Sequence, residues 1–377
     1  MNVNAENVSY PRKLKNFNNP ERFIEGWYWV IPSRKLRVYE VKPVTVLGKE
    51  LVIYRGQDKR AVIFDAYCPH MGAHLAEGKV EGNELRCFFH HWQYDAEGFC
   101  VDVPCLDEPI NVKAKTWPTA EKYGMIWVWT GETPQQPLPF IPELEMEECD
   151  SSFGARFITN CHPNVVMINA IDTQHFNTVH KLLSEFIFEK QELNENAITF
   201  SKNTPDSEDA FLIKLIRPFY KNSITYSLCY WYGTTGMMTI GPDFLHFYIM
   251  FTLRLIENAK TEGQAVFITK KRTSIFGKMY NRFLLWLTEI LINYFIKNDS
   301  KIFQTIQFNL KTPIQADQSI IHFINHLERQ KSLQWETWAI GNSERSPRSG
   351  ELSRDAEVRD IEKRENREKW RDELVND

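Results

Sequence analysis

At 377 residues with a formal net charge of −4, the chain is long enough for two domains and lacks the basic surplus that nucleic-acid binding requires. Seven cysteines, at 68, 87, 100, 105, 149, 161 and 229, form no evenly spaced framework, and their odd number points to a reducing compartment rather than a disulfide scaffold. Met1 to Asn19 is polar and has no apolar core of a secretory leader, so the expected location is cytoplasmic.

From Trp27 to Trp129 the pattern predicts short strands, at Trp27–Val30, Val44–Val46, Leu51–Tyr54, Ala61–Phe64 and Met125–Trp129. Turn signals separate them, among them Leu47-Gly48, Arg55-Gly56-Gln57-Asp58 and Glu81-Gly82-Asn83. Two clusters, Cys68-Pro69-His70 and Cys87-Phe88-Phe89-His90, interrupt this β-rich stretch. Each offers one thiolate and one imidazole, together the ligand set of a Rieske [2Fe–2S] centre. The same four residues could hold a structural zinc, but zinc-finger cysteines pair with each other across a short spacer, and these do not.

Pro134, Pro137, Pro139 and Pro142 form a proline-rich link. Beyond it the pattern predicts a helix over 165–183, strands at Leu212–Ile216, Ser223–Trp231, Phe244–Ile256 and Ala265–Thr269, then helices over about 275–307 and 314–329. Within the first of these last two, Phe283–Leu287, Ile290–Ile292 and Tyr294–Ile296 are densely apolar, broken by Arg282, Glu289 and Asn293. That run is too interrupted to span a bilayer and predicts a buried helix, with a lipid-contacting interfacial helix as the alternative. From about Asn342 the chain is charged with both signs mixed, which predicts a solvated helix or a disordered tail. The expected class is α+β, divided into an N-terminal segment (1–24), a β domain (25–133), a second domain (134–340) and a tail (341–377).

The second domain opens on Asn169-Ala-Ile-Asp172-Thr-Gln-His175-Phe-Asn-Thr-Val-His180. Two imidazoles and a carboxylate make the facial triad of non-heme Fe(II) oxygenases. On a regular helix, however, His175 and His180 point about 140° apart, so a shared metal demands a bulge or break between them. Read without its context, this segment is equally a polar helix with two unrelated histidines.

Joined to the upstream clusters, the order Cys-x-His, Cys-x₂-His, Asn-x₂-Asp-x₂-His-x₄-His resembles the catalytic α subunit of the Rieske non-heme iron oxygenases. The Gly26-Trp-Tyr-Trp opening and the Lys122-Tyr-Gly-Met-Ile-Trp-Val-Trp129 strand extend the likeness, which runs from about Gly26 to Asp299. The resemblance implies an antiparallel Rieske domain followed by a helix-grip, START-like catalytic domain. It makes Cys68 and Cys87 the thiolate ligands of one cluster iron, His70 and His90 the imidazole ligands of the other, and His175 and His180 ligands of a mononuclear Fe(II). Asp172 becomes the bridge from that iron to the cluster of a neighbouring subunit in a homotrimer. The third iron ligand is expected at Asp299, in Asp299-Ser-Lys-Ile302, with Asp243 and Glu289 as rivals. His91 stands where the family usually has glycine, which leaves His90 against His91 open on composition while the spacing favours His90. Met71 stands where arginine is common, and His74 reads as a hydrogen-bonding loop residue. Ala73 and Phe89 occupy the positions of the extra disulfide of respiratory Rieske proteins, so the oxygenase branch is implied.

The expected function is therefore that of a terminal oxygenase taking NAD(P)H electrons through a separate ferredoxin or flavin reductase, since no Gly-rich dinucleotide fingerprint occurs in the chain. In layout the chain resembles the ketosteroid hydroxylase and cholesterol desaturase branch. Together with aromatic strand residues Tyr226, Tyr230, Trp231, Phe247, Tyr248 and Phe251, this suggests hydroxylation or desaturation of a lipophilic steroid, isoprenoid or polycyclic compound, with peripheral contact to a membrane surface. The competing expectation is a Rieske electron carrier without oxygenase chemistry of its own.

Overall fold

The computed structural model describes residues 10–11, 13–180, 187–202, 225–242, 245–256 and 260–333, with side chains 294–298 excluded. The strand expected at Leu212–Ile216, the rival Asp243 and the charged tail lie outside the described residues.

Residues 27–129 form three small antiparallel sheets. Trp27–Pro32, Met125–Trp129 and Thr119–Lys122 make the first, in which the aromatic run of Met125–Trp129 is buried along its whole length. Val41–Val46, Lys49–Arg55, Ala61–Asp65 and Thr116–Trp117 make the second. The third, Lys79–Glu81, Glu84–Arg86, Gln93–Tyr94 and Cys100–Asp102, consists of strands of two or three residues, too short to leave an apolar periodicity in the sequence.

The second domain is built on a seven-stranded antiparallel sheet in the order Cys149–Thr159, Thr261–Lys270, Phe247–Leu255, Thr235–Gly241, Thr225–Trp231, Ala197–Lys202, Phe188–Asn194. Four of these strands, Cys149–Thr159, Phe188–Asn194, Ala197–Lys202 and Thr235–Gly241, are absent from the sequence prediction. The two at the edges have a physical reason, since Cys149–Thr159 is bulged between Phe153 and Arg156, and Phe188–Asn194 is polar and largely exposed. Among the described residues four α-helices accompany the sheet: α1 (Pro163–Ile168), α2 (Thr173–Thr178), α3 (Ile275–Thr305) and α4 (Gln318–Arg329). Leu285, Ile292 and Phe303 of α3 and Ile320, Phe323 and Leu327 of α4 pack with the aromatic residues of the sheet in one core. A long helix laid on an antiparallel sheet matches the expected helix-grip arrangement.

Pairing register assigns the sheet's aromatic residues to faces, because side chains alternate along a strand. Tyr226 pairs across Ile240 with Phe247, and Tyr230 across Gly236 with Phe251, so these four share one face. Tyr226 and Tyr230 donate their hydroxyls to the carbonyls of Ala170 and Met167, which fixes this face as the one beneath α1. Trp231 and Tyr248 point the other way; the Trp231 indole donates to the Phe140 carbonyl in the link. The six aromatic residues named from the sequence therefore divide between the two faces, four on one and two on the other.

Close packing joins the domains. A Cβ on Gly26 would fall 2.2 Å from the Tyr232 ring, Trp129 meets Tyr232 edge to face, and Arg254 reaches across to the Val30 carbonyl while covering Trp29. Two buried histidines of the second domain, His162 and His326, are both pushed down to about 4, chiefly by loss of hydration, with Glu192 opposing the shift at His326. Unfolded, each binds a proton near pH 6.5 while the folded chain does not. Stability is therefore complete above that pH and falls as pH drops toward 4, by up to about 3 kcal/mol per histidine. The urea unfolding midpoint is expected to fall between about pH 7 and 5, and to fall less in His326→Gln; equal pH slopes for the two proteins would contradict this.

Candidate metal centres

The first candidate centre is a pair of matching loops. In one, the Gly72 N–H donates to the Cys68 carbonyl and the Cys68 N–H to the Ala73 carbonyl, with Gly72 at φ +75°. In the other, the His91 N–H donates to the Cys87 carbonyl and the Cys87 N–H to the Trp92 carbonyl, with His91 at φ +60°. Both cysteines are buried, and both histidines, His70 and His90, stand exposed at the tips with their rings 4.7 Å apart. His91 thus fills the left-handed position of its loop, which glycine takes without strain and other residues do not. Its backbone has a turn to make, and the ring beside His70 is that of His90. His74 accepts from the Ala76 N–H through Nδ1, the loop role expected for it.

Two further residues shape this centre. The Tyr94 hydroxyl lies 3.1 Å from Cys68 Sγ, and Trp92 stacks on His70 at 4.1 Å and 7°. An O–H donated to a ligating sulfur stabilises its charge and raises the potential of a cluster held there. Burial raises the pKa of the Cys87 thiol, the Phe89 N–H opposes the rise, and the Cys68 sulfur adds to it. Neither aromatic was singled out from the sequence; position 94, seven residues after the second cysteine, carries no signal without the hairpin that returns it beneath the loops.

The second candidate centre depends on a helix that stops twice. Pro163 and the His162 side chain, accepting from the Asn164 N–H, start α1. After a 3₁₀ turn over Asn169–Ile171, Asp172 leaves helical geometry and caps α2, its Oδ1 accepting from the N–H groups of Gln174 and His175. Ending at Thr178, α2 leaves His180 beyond the last turn, free of the 140° separation that a continuous helix imposes. The two Nε2 atoms approach to 2.9 Å. The break thus lies on both sides of His175, and the helix predicted over 165–183 is corrected to two short ones.

Asp299, near the end of α3, supplies the third group. Its Oδ1 lies 3.2 Å from both Nε2 atoms and accepts no hydrogen bond, although the residue is buried. Asn169 Nδ2 holds the other oxygen at 3.0 Å, so the carboxylate presents one lone-pair oxygen to the imidazoles. Burial lowers the pKa of His180, Asp299 opposes, and His175 adds to the lowering; the neutral imidazole is the metal-binding form. These three residues are the group among the described residues whose donor atoms could hold a single ion, and an orphaned buried carboxylate oxygen facing two imidazoles fits one. Glu289 is not among them. Asp172 orients His175 through its backbone, a role that an ordinary N-cap also fills. Asn169 was read only as a motif position; its bond to a residue 130 positions away could not be seen in the chain.

His90→Ala is expected to abolish the visible absorption of the cluster, whereas His91→Gly keeps it and raises the thermal midpoint by relieving the positive φ, worth about 1 kcal/mol. The reverse pattern would assign the ligand to His91.

A Rieske [2Fe–2S] domain model matches residues 26–119. Cholesterol 7-desaturase from Bombyx mori is 38% identical over 177 residues, 44% of this chain and 38% of that protein. The oxygenase component of 3-ketosteroid-9-alpha-monooxygenase from Rhodococcus rhodochrous is 30% identical over 193 residues, 49% of this chain and 51% of that protein. The matches thus span about half or less of these relatives. Among solved structures, NdmB of Pseudomonas putida CBB5 superposes with a TM-score of 0.60 at 17% identity, over 80% of this chain and 90% of that one, a likeness of fold. Residues 26–119 are thus a Rieske domain, whose paired Cys/His loops imply a [2Fe–2S] cluster, and the chain shares its fold with NdmB over 80% of its length.

Proposed function

We propose that the protein is a terminal oxygenase component that hydroxylates or desaturates a lipophilic substrate with O₂. The convergence of His175, His180 and Asp299 at 2.9–3.2 Å carries this reading, because an electron carrier has no use for a second ligand set. Residues 25–133 serve as the electron-receiving domain and 134–340 as the catalytic one. Cys68, His70, Cys87 and His90 hold the cluster, and His175, His180 and Asp299 hold Fe(II). When bound, the cluster would supply electrons singly and the iron would supply the oxygen-activating chemistry.

The chain's own residues set the conditions. Asn169 keeps one Asp299 oxygen occupied, so that the carboxylate binds through the other. Asp172 fixes the backbone of His175 through one oxygen, and its carboxylate is the bridge we propose toward the cluster of a neighbouring subunit in a homotrimer. Tyr226 and Tyr230 remain protonated, their pKa values raised by burial, and tie the sheet to the segment bearing the ligands. Phe247 and Phe251 share their face and give it the apolar character that a steroid-like or other lipophilic compound requires. A separate ferredoxin or flavin reductase delivers the electrons from NAD(P)H, and a membrane is the source from which such a substrate is drawn.

With a flavin reductase and NADH, a steroid and isoprenoid panel should be oxidised in preference to small aromatic acids. His175→Ala should cut turnover by more than about 100-fold, beyond the loss that outer-sphere changes cause, while leaving the cluster spectrum unchanged. Turnover of the polar acids alone would overturn the substrate class, and full activity in His175→Ala would overturn the site.

A further inference from the structure

We infer that the outward face of α3 docks the protein on the surface of an anionic lipid bilayer; the inference takes its lipophilic substrate from the reading above. The sequence pattern predicts a buried helix here, but α3 is buried on one side only. Asn281, Leu284, Leu285, Thr288 and Ile292 face the protein. Phe276, Met279, Phe283, Trp286 and Ile290 are all exposed, Phe276 to 85%. At 100° per residue the mean directions of these two sets lie about 180° apart, so the second set points straight out. It makes an apolar stripe about 21 Å long from Phe276 to Ile290. Isolated exposed apolar residues need no explanation, but a contiguous aromatic stripe of this length marks a contact surface.

The rim of the stripe says what it contacts. Lys278 and Arg282, one turn apart, are exposed along its flank and make no ion pair among the described residues. By contrast, Lys270 and Lys271 just before the helix are matched by Glu147 and Glu148. The acid on the same flank, Glu289, is half-buried. Aromatic residues in the stripe with unmatched cations beside them fit acyl chains beneath anionic headgroups. A second copy of the chain packed antiparallel through this face fits less well, since that two-fold contact brings the cationic rims together. No helix among the described residues is long and apolar enough to cross a membrane, so the contact is with the surface. Asp299 lies nine residues beyond Ile290 on the same helix, about 14 Å along its axis, which places the proposed iron site close to the bilayer from which substrate would enter.

Flotation of the full chain with phosphatidylcholine vesicles, with and without about 30% phosphatidylglycerol, tests this. Binding is expected to the anionic vesicles and to weaken with salt. It should fall at least about tenfold in Lys278→Glu/Arg282→Glu and in Phe283→Gln/Trp286→Gln, with the cluster spectrum and sedimentation unchanged. Absence of flotation with either vesicle overturns the proposal, as does charge reversal without effect. Conversion of an oligomer to a smaller species by Phe283→Gln/Trp286→Gln would assign the face to a second copy instead. Flotation requires no turnover, so its failure is read separately from failure of the oxygenase reading, which iron content reports.

Discussion

Everything distinctive in the second domain follows from bringing two imidazoles, five residues apart, to the same point in space. A continuous helix cannot do this, and the chain avoids one by capping at Asp172 and ending α2 at Thr178. The short helix is stabilised by its cap and by tertiary contacts, with Thr173 and Gln174 reaching Ala316 and Asp317 ahead of α4. Six residues are far too few for a helix to persist alone in water. The pair of histidines is thus held by the fold rather than by local propensity.

The third group arrives from a rigid element. Asp299 sits toward the end of a 31-residue helix anchored at its start by Ser274, which accepts from the Gly277 N–H. Burial of a carboxylate that accepts no bond on one oxygen is costly. A bound cation beside that oxygen would offset the cost. The same helix presents an apolar stripe outward, so a single element links the proposed lipid contact to the proposed iron ligand.

Much of this was legible before any coordinates. The Cys/His clusters are visible because ligand spacing is local, and the buried strands of the first domain because β-branched and aromatic runs bounded by glycine turns are unambiguous. What escaped reading depended on long-range contact. Tyr94 reaches Cys68 through a hairpin of very short strands, and Asn169 finds Asp299 across 130 positions. The apolar content of α3 suggested burial, because composition does not tell a core-facing stripe from one facing outward. His91 is the converse case: the departure from glycine was visible, but only φ +60° explains why glycine suits that position and why His90 carries the ring beside His70.

The central claim is that one chain joins an electron-receiving cluster to a separate iron site. Iron and acid-labile sulfide analysis of the anaerobically purified full chain, beside its Asp299→Ala variant, tests it most directly. The account expects about three irons and two sulfides per chain, falling to about two irons in the variant with sulfide unchanged. About two irons in both proteins would contradict it and leave an electron carrier.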